Sequence, residues 1–205
     1  MAPTKKGAAR REQILQALAG MLEGDSNQRI TTAELAREVG FSEAALYRHF
    51  PSKAKMFDAL LDYIDEVLFE RINLIAREAE DITQRCHHIL TLVLNFAEKN
   101  RGMCRLLTGE VLTGELARLR PRVQQIFERM ETQLKHLLRT ARATDDIALP
   151  MTASASAHLM MVTVEGRISR YSRSQFRHRP CEHWNEQWDV LAQALFHAPR
   201  AHMAL

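Results

Sequence analysis

Cysteine is scarce in this chain: Cys86, Cys104 and Cys181 are three in 205 residues, with no C-x-x-C pair among them. An odd number of widely spaced thiols excludes a disulfide framework and fits a reducing compartment, where such residues serve as small buried hydrophobes. Proline and glycine are also few, six and eight. No stretch strictly alternates apolar with polar residues over strand length, which argues against a β-sheet protein. Aromatics make up only 6%. No apolar run approaches the roughly 20 residues that a membrane span needs, and the N-terminal segment lacks the apolar core of a secretory signal. A cytoplasmic protein without membrane association is therefore expected. Neither sign of charge dominates: 28 Lys and Arg face 25 Asp and Glu, a formal net of +3, too small to establish a nucleic-acid partner by itself. G-x-S-x-G, Gly-rich phosphate loops and H-E-x-x-H are all missing, so no catalysis, cofactor or metal is expected.

What remains is a chain rich in Leu, Ala, Glu and Arg, for which an all-α fold is the natural expectation. Its most informative stretch is Ile30 to Lys53, ITTAELAREVGFSEAALYRHFPSK. Thr31 with Glu34 three residues on makes a capping box, and Ile30 with Leu35 a hydrophobic staple. Leu35 and Val39 share a helical face that stops at Gly40, the residue that enters left-handed backbone without steric penalty. Ser42 caps the next helix, Pro51 ends it near Phe50, and Ser52 caps a third. On the second helix Leu46 and Phe50 lie inward. Ala44 and Arg48 are then opposite, with Ala45 and Tyr47 on the flanks.

An outward face that is small, polar and cationic suits the DNA major groove. Short residues let backbone approach base edges, and longer donors reach phosphates. Ala44 and Ala45 fit the first role, and Tyr47, Arg48 and Lys53 the second. An ordinary αα-hairpin with Tyr47 and Arg48 on its surface is the alternative. Residues 1–53 hold eight Lys or Arg against six acids. Lys5, Lys6, Arg10 and Arg11 are clustered there and can add phosphate contacts from a flexible arm, taken as residues 1–9. A merely soluble tail is the other reading of Lys5 and Lys6.

The pattern of TTAELAREVGFSEAALYRHFPSK followed by a long helix opening KAKMFDALL resembles the TetR-type regulators. In that family the recognition helix typically ends in Tyr-x-x-Phe followed closely by Lys. The resemblance implies a three-helix helix-turn-helix domain, here 10–53 and running into a connecting helix to about 70. A helical regulatory and dimerisation domain would follow over 71–200. It implies a double-stranded DNA partner, with Thr31, Thr32, Ser42, Tyr47, His49 and Lys53 touching phosphates or base edges.

Behind the motif, Met56 to Ile75 form one apolar stripe of a long helix, and 82–99 is apolar almost all round at its centre. Leu116, Leu119, Val123, Ile126, Met130 and Leu137 recur at spacings of three and four, with Gln133 in the vacant position. This suggests a coiled-coil-like helix over about 116–142, or a single long bundle helix. Residues 140–150 read as a loop. Two further helices, 151–173 and 183–196, carry small residues on the first and Trp184, Trp188, Leu191 and Leu195 on the second. Such faces suit a four-helix homodimer interface, or the core alone.

His178, Cys181 and His183 offer two imidazoles and a thiol, too few for a structural zinc site. His87 and His88 diverge by about 100° on a helix and cannot grip one ion together. The arginines at 167, 170, 173, 177 and 179 suit an acidic partner or, more commonly, a solvated face with local ion pairs.

A wider resemblance, carried by RINLI at 71–75, R-x-L-T-G at 105–109 and EGRISRYSRSQFRHRP at 165–180, is to the nucleoid occlusion branch of the TetR-type family. It implies a nucleoid-associated homodimer that binds palindromic sites, several dimers able to share a site, and captures the division GTPase FtsZ. The matching groove positions are Tyr63, Arg71, Leu92, Asn95, Lys99 and Asn100, of which Arg71 and Lys99 suit an acidic tail. Tyr63, Asn95 and Lys99 depart from the branch's usual Phe, Gly and Arg. The alternative within the family is a ligand-responsive transcriptional repressor.

Overall fold

The computed structural model describes residues 5–24, 30–77, 81–144 and 149–197. Among these residues every element is helical and no strand occurs. Contacts divide the chain into two compact units, Met1–Glu66 with Asn100–Val123, and Val67–Lys99 with Gln124–Leu205. The expected boundary near residue 70 thus falls within a helix, and residues 100–123 join the first unit.

That first unit contains α1 (Lys5–Glu23), α2 (Thr32–Glu38), α3 (Glu43–His49) and the opening of α4 (Lys53–Arg77). Ile14, Leu18, Leu22, Leu35, Leu46, Phe50, Met56, Phe57, Leu60 and Leu61 are each at most 2% exposed and form its core. Each such side chain contributes about 1.5–3 kcal/mol by leaving water. α1 begins at Lys5, earlier than the expected arm allowed, because Lys, Ala and Arg there are good helix formers. Residues 1–4, the side chains of Lys5 and Lys6, and the expected loop residues 25–28 lie outside the described residues, as do 145–148 of the 140–150 loop. Arg10 and Arg11 are not arm residues. The Arg11 guanidinium stacks 4.1 Å from the Phe50 ring centroid and donates to the His49 carbonyl at 2.6 Å, and Arg10 lies 5.8 Å from the ring of Phe41.

α6 (Arg101–Leu107) completes this unit by packing on α1. A Cβ at Gly102 would stand 2.6 Å from the Ala19 carbonyl oxygen and 2.8 Å from Leu22 Cβ, so only glycine permits this approach. Buried Arg105 donates through Nη1 to the carbonyls of Leu22, at 2.9 Å, and Gly24. It thereby satisfies acceptors that the end of α1 leaves without helical partners. Its Nε is 3.4 Å from Glu110. The R-x-L-T-G stretch is therefore a structural clasp. A 3-10 turn, Gly114–Leu119, follows, with Leu112, Leu116 and Leu119 buried and Arg120 Nε donating to the Leu112 carbonyl at 3.2 Å.

In the second unit α5 (Ile82–Lys99), α7 (Arg120–Thr144), α8 (Ala153–Arg173) and α9 (Trp184–Ala192) supply the core, and α9 runs into a π-helical turn at Gln193–His197. α5 and α8 pack on each other. α7 departs from the expected seam: Gln133 is half-buried, whereas Met130, Leu134 and Leu138 are 0% exposed. A straight helix has 3.6 residues per turn and drifts away from a 3.5-residue repeat, so after Met130 the buried stripe takes in Leu134 and Leu138 and keeps the expected Leu137, 8% exposed, at its edge. Leu116 and Leu119 of the expected seam lie in the 3-10 turn, and α7 is helical through residue 144 of the expected loop. His87 stacks on Trp188 and Trp184, with centroids 5.2 and 6.0 Å away, and this burial lowers its pKa below the ordinary histidine value. Trp184 Nε1 donates to Thr91 Oγ1 at 2.7 Å.

Candidate nucleic-acid interface

Local chemistry builds the reading helices as the spacing predicts. Thr31 Oγ1 accepts from the Glu34 backbone N–H at 3.2 Å, and Glu34 accepts from the Thr31 N–H at 3.0 Å and hydroxyl at 2.9 Å. These bonds, the backbone one foremost, hold the Glu34 carboxyl below its ordinary range. At the far end of α2, Gly40 has φ 70°, with its N–H on the Arg37 carbonyl at 3.2 Å and that of Phe41 on Ala36 at 2.8 Å. This is the paired closure of a Schellman motif, and it turns the chain sharply into α3. Ser42 caps α3 through the Ala45 N–H at 3.2 Å. Phe50 is extended before Pro51, and Ser52 Oγ caps α4 through the Lys55 N–H at 3.2 Å.

The outward face of α3 is as expected, with Ala44 and Arg48 exposed, Tyr47 42% exposed, and Ala45 and His49 half-buried. Thr31, Thr32, Tyr47 and Lys53 come together around an open pocket of about 550 Å³ beside the start of α4. Ser42, Ala44, Ala45, Arg48 and His49 lie outside its lining. In this state the donors are engaged internally. Tyr47 donates to Thr32 Oγ1 at 3.4 Å, Thr32 to Glu43 at 2.9 Å, and Lys53 to the Ile30 carbonyl at 2.5 Å. Arg48 Nε turns back to the Ala44 carbonyl at 3.4 Å. A phosphate entering the pocket meets hydroxyls and an ammonium that exchange one acceptor for another, at the positive end of a 25-residue helix.

Three members of this neighbourhood were not legible from spacing. Ser52, read only as a cap, also lines the pocket; Glu43 holds Thr32 from eleven positions away. Glu115 reaches the pocket from the 3-10 turn. No local pattern announces that positions 31 and 115 line one pocket.

The six expected partner-groove positions divide between the units. Tyr63, on α4, is 49% exposed, and Asn100 is the N-cap of α6; both belong to the first. Arg71 of α4 and Leu92, Asn95 and Lys99 of α5 belong to the second, where Arg71 and Lys99 are exposed and Leu92 and Asn95 half-buried. Leu92, Asn95 and Lys99 follow one face of α5. Asn95 is occupied: its Oδ1 accepts from the Cys181 thiol at 3.4 Å. One turn on, Glu98 accepts from Arg179 Nε at 2.9 Å and from the Cys181 N–H at 3.2 Å. Cys181 is only half-buried, unlike Cys86 and Cys104, and burial with the neighbouring Glu98 pushes its thiol up to about 11. Arg167 departs from a solvated arginine face: it bonds the Pro180 and Glu182 carbonyls and Gln187 and lies over Trp184.

A capped helix-turn-helix with a supporting α1 and a further helical unit defines a DNA-binding regulator of the TetR type. Residues 14–60 match the model for bacterial regulatory proteins of the tetR family, and residues 80–196 match the SlmA-like model for the tetracyclin repressor-like C-terminal domain. The chain is 54% identical over 186 residues to the nucleoid occlusion factor SlmA of Marinomonas sp. (strain MWYL1), covering 91% of this chain and 94% of that protein. It is 52% identical to the nucleoid occlusion factor SlmA of Alteromonas mediterranea (strain DSM 17117 / CIP 110805 / LMG 28347 / Deep ecotype), covering 93% and 98%. A solved TetR transcriptional regulator from Chloroflexus aurantiacus shares the fold, with a TM-score of 0.76 at 20% identity over 94% of this chain and 98% of that one. The chain belongs to the TetR family and, within it, to the family of the nucleoid occlusion factor SlmA. These are DNA-binding regulators, not enzymes. Among the described residues no helix is long and apolar enough to cross a membrane.

Proposed function

We propose that the protein binds palindromic chromosomal sites as a homodimer, several dimers able to share one site, and that the DNA-bound form inhibits FtsZ ring assembly over the nucleoid. The observation that carries this reading is identity of about half over nine-tenths of the chain to nucleoid occlusion factors. In this reading Thr31, Thr32, Ser42, Tyr47, Arg48, His49 and Lys53 contact phosphates or base edges, while Ala44 and Ala45 admit the helix to the groove. Dimerisation is supported by an open apolar stripe on α8, where Ala155, Leu159, Val162 and Gly166 recur every three or four residues on the exposed side. Val162 is 51% exposed, Val190 of α9 is 71% exposed, and a Cβ at Gly166 would meet nothing within 4 Å. Apolar side chains left in water along one helix face suit a second copy of the same face. FtsZ capture is assigned to the groove positions Tyr63, Arg71, Leu92, Asn95, Lys99 and Asn100, within a regulatory and dimerisation domain of 71–200 and the adjoining part of α4.

The deciding experiment measures FtsZ polymer disassembly with and without a duplex that the protein binds specifically. Disassembly is expected to strengthen with duplex. No effect on FtsZ, together with small-molecule release of DNA, would replace this function with ligand-responsive repression. For the DNA face, Thr31→Ala is expected to lower stability by about 1 kcal/mol through the lost cap and to weaken duplex binding by removing a phosphate donor. Thermal melts and fluorescence anisotropy across a salt series separate the two effects. Unchanged affinity and salt dependence would remove Thr31 from the contact set.

A further inference from the structure

We propose that Glu115 is an additional DNA-facing residue, an acidic brake that lowers affinity for every duplex without changing which sequence is preferred. The inference rests on the reading of the Thr31, Thr32, Tyr47 and Lys53 pocket as a phosphate site. Glu115 is exposed and is the carboxylate residue in the lining of that pocket, although it comes from the 3-10 turn beyond α6. Packing fixes its position. Leu112 and Leu116 on either side are 0% and 4% exposed, and Arg120 ties the turn to the Leu112 carbonyl at 3.2 Å. Two residues further on, Arg122 pairs with Asp58, at 3.5 Å, and Asp62 of α4. The backbone that carries Glu115 is thus an anchored segment of the same unit, which keeps the residue beside the pocket.

A DNA phosphate seated among the hydroxyls and Lys53 brings a negative charge to a pocket whose lining includes Glu115, beside the Glu34 and Glu43 carboxylates that accept from Thr31 and Thr32. At a partly solvated surface such a pair repels measurably at low salt and is screened at high salt. Phosphates are identical in every sequence, so the penalty is common to specific and random DNA. Glu115 then sets how much of the protein stays on the chromosome overall, while α3 decides where. A role limited to the N-terminal end of the 3-10 turn predicts a small loss of stability on removal and no gain in binding.

The test uses the full chain with a random-sequence duplex and with the duplex that the wild-type protein selects from a randomised pool, both followed by fluorescence anisotropy. At roughly 0.1 M salt Glu115→Gln is expected to tighten both affinities about fivefold, and Glu115→Lys to tighten them further. The gain should shrink at about 0.5 M salt, with the ratio between the two duplexes constant within about twofold. Glu115→Ala provides a second neutral variant, and melting curves verify the fold of each. Unchanged or weakened binding in both neutral variants, with Lys53→Ala still weakening it, overturns the brake. Loss of effect at Lys53 as well overturns the phosphate pocket on which it rests.

Discussion

Arg71→Asp is expected to reduce association with FtsZ by about a hundredfold or more while leaving duplex binding unchanged. Arg71 is exposed on α4 and belongs to the second unit, whereas the capped reading helices belong to the first. Among the described residues no ion pair engages it. In the proposed function that exposed charge pairs with an acidic tail. Removing one partner of a desolvated charge pair costs about 2–5 kcal/mol, and placing an acid there adds repulsion. Since about 1.4 kcal/mol is tenfold in affinity, a hundredfold loss is the modest end of that range. Anisotropy with labelled FtsZ C-terminal peptide and with duplex, on the same protein sample, provides both numbers. Unchanged peptide binding would move the groove elsewhere, and parallel loss of both activities would mean that the variant had misfolded.

The second large effect concerns the clasp. Arg105→Met should destabilise the first unit by about 2–4 kcal/mol, because the Leu22 and Gly24 carbonyls lose their donor inside the protein and Glu110 loses its charge partner. For a chain of this size that corresponds to a fall in Tm of roughly 4–16 °C. Arg105→Lys should recover only part of it, since an ammonium cannot reproduce a planar fork of donors. A shift below about 1 °C for the methionine variant would show that the clasp contributes little. Because α1 supports α3 through Arg11 and its buried leucines, duplex binding near the melting temperature should weaken in step with unfolding.

Much of the reading head was legible because its determinants are local. A hydroxyl and a carboxylate three residues apart make the Thr31–Glu34 box, and a glycine at the right offset makes the Gly40 closure. The proline at 51 stops α3 whatever surrounds it. What could not be read depends on partners distant in sequence. Nothing beside Arg105 announces carbonyls 83 and 81 positions earlier, and nothing beside Asn95 announces Cys181. Nothing beside Glu115 announces a pocket that Thr31 and Lys53 also line. The misassigned Gln133 is a different kind of miss. Both a 3.5- and a 3.6-residue repeat pass through Leu116 to Met130, and only the buried Leu134 and Leu138 separate them.

Residues 67–99 interrupt a unit that resumes at Asn100, so the reading head is written in two instalments along the chain. A head of this construction cannot be moved as a cassette. Joining the segment ending at α4 to a foreign body would leave the α1 face around Ala19 and Leu22 uncovered and the end of α1 without its arginine. A chimera that is to retain DNA recognition has to exchange α6 and the 3-10 turn along with the N-terminal helices, and natural recombination among relatives meets the same restriction.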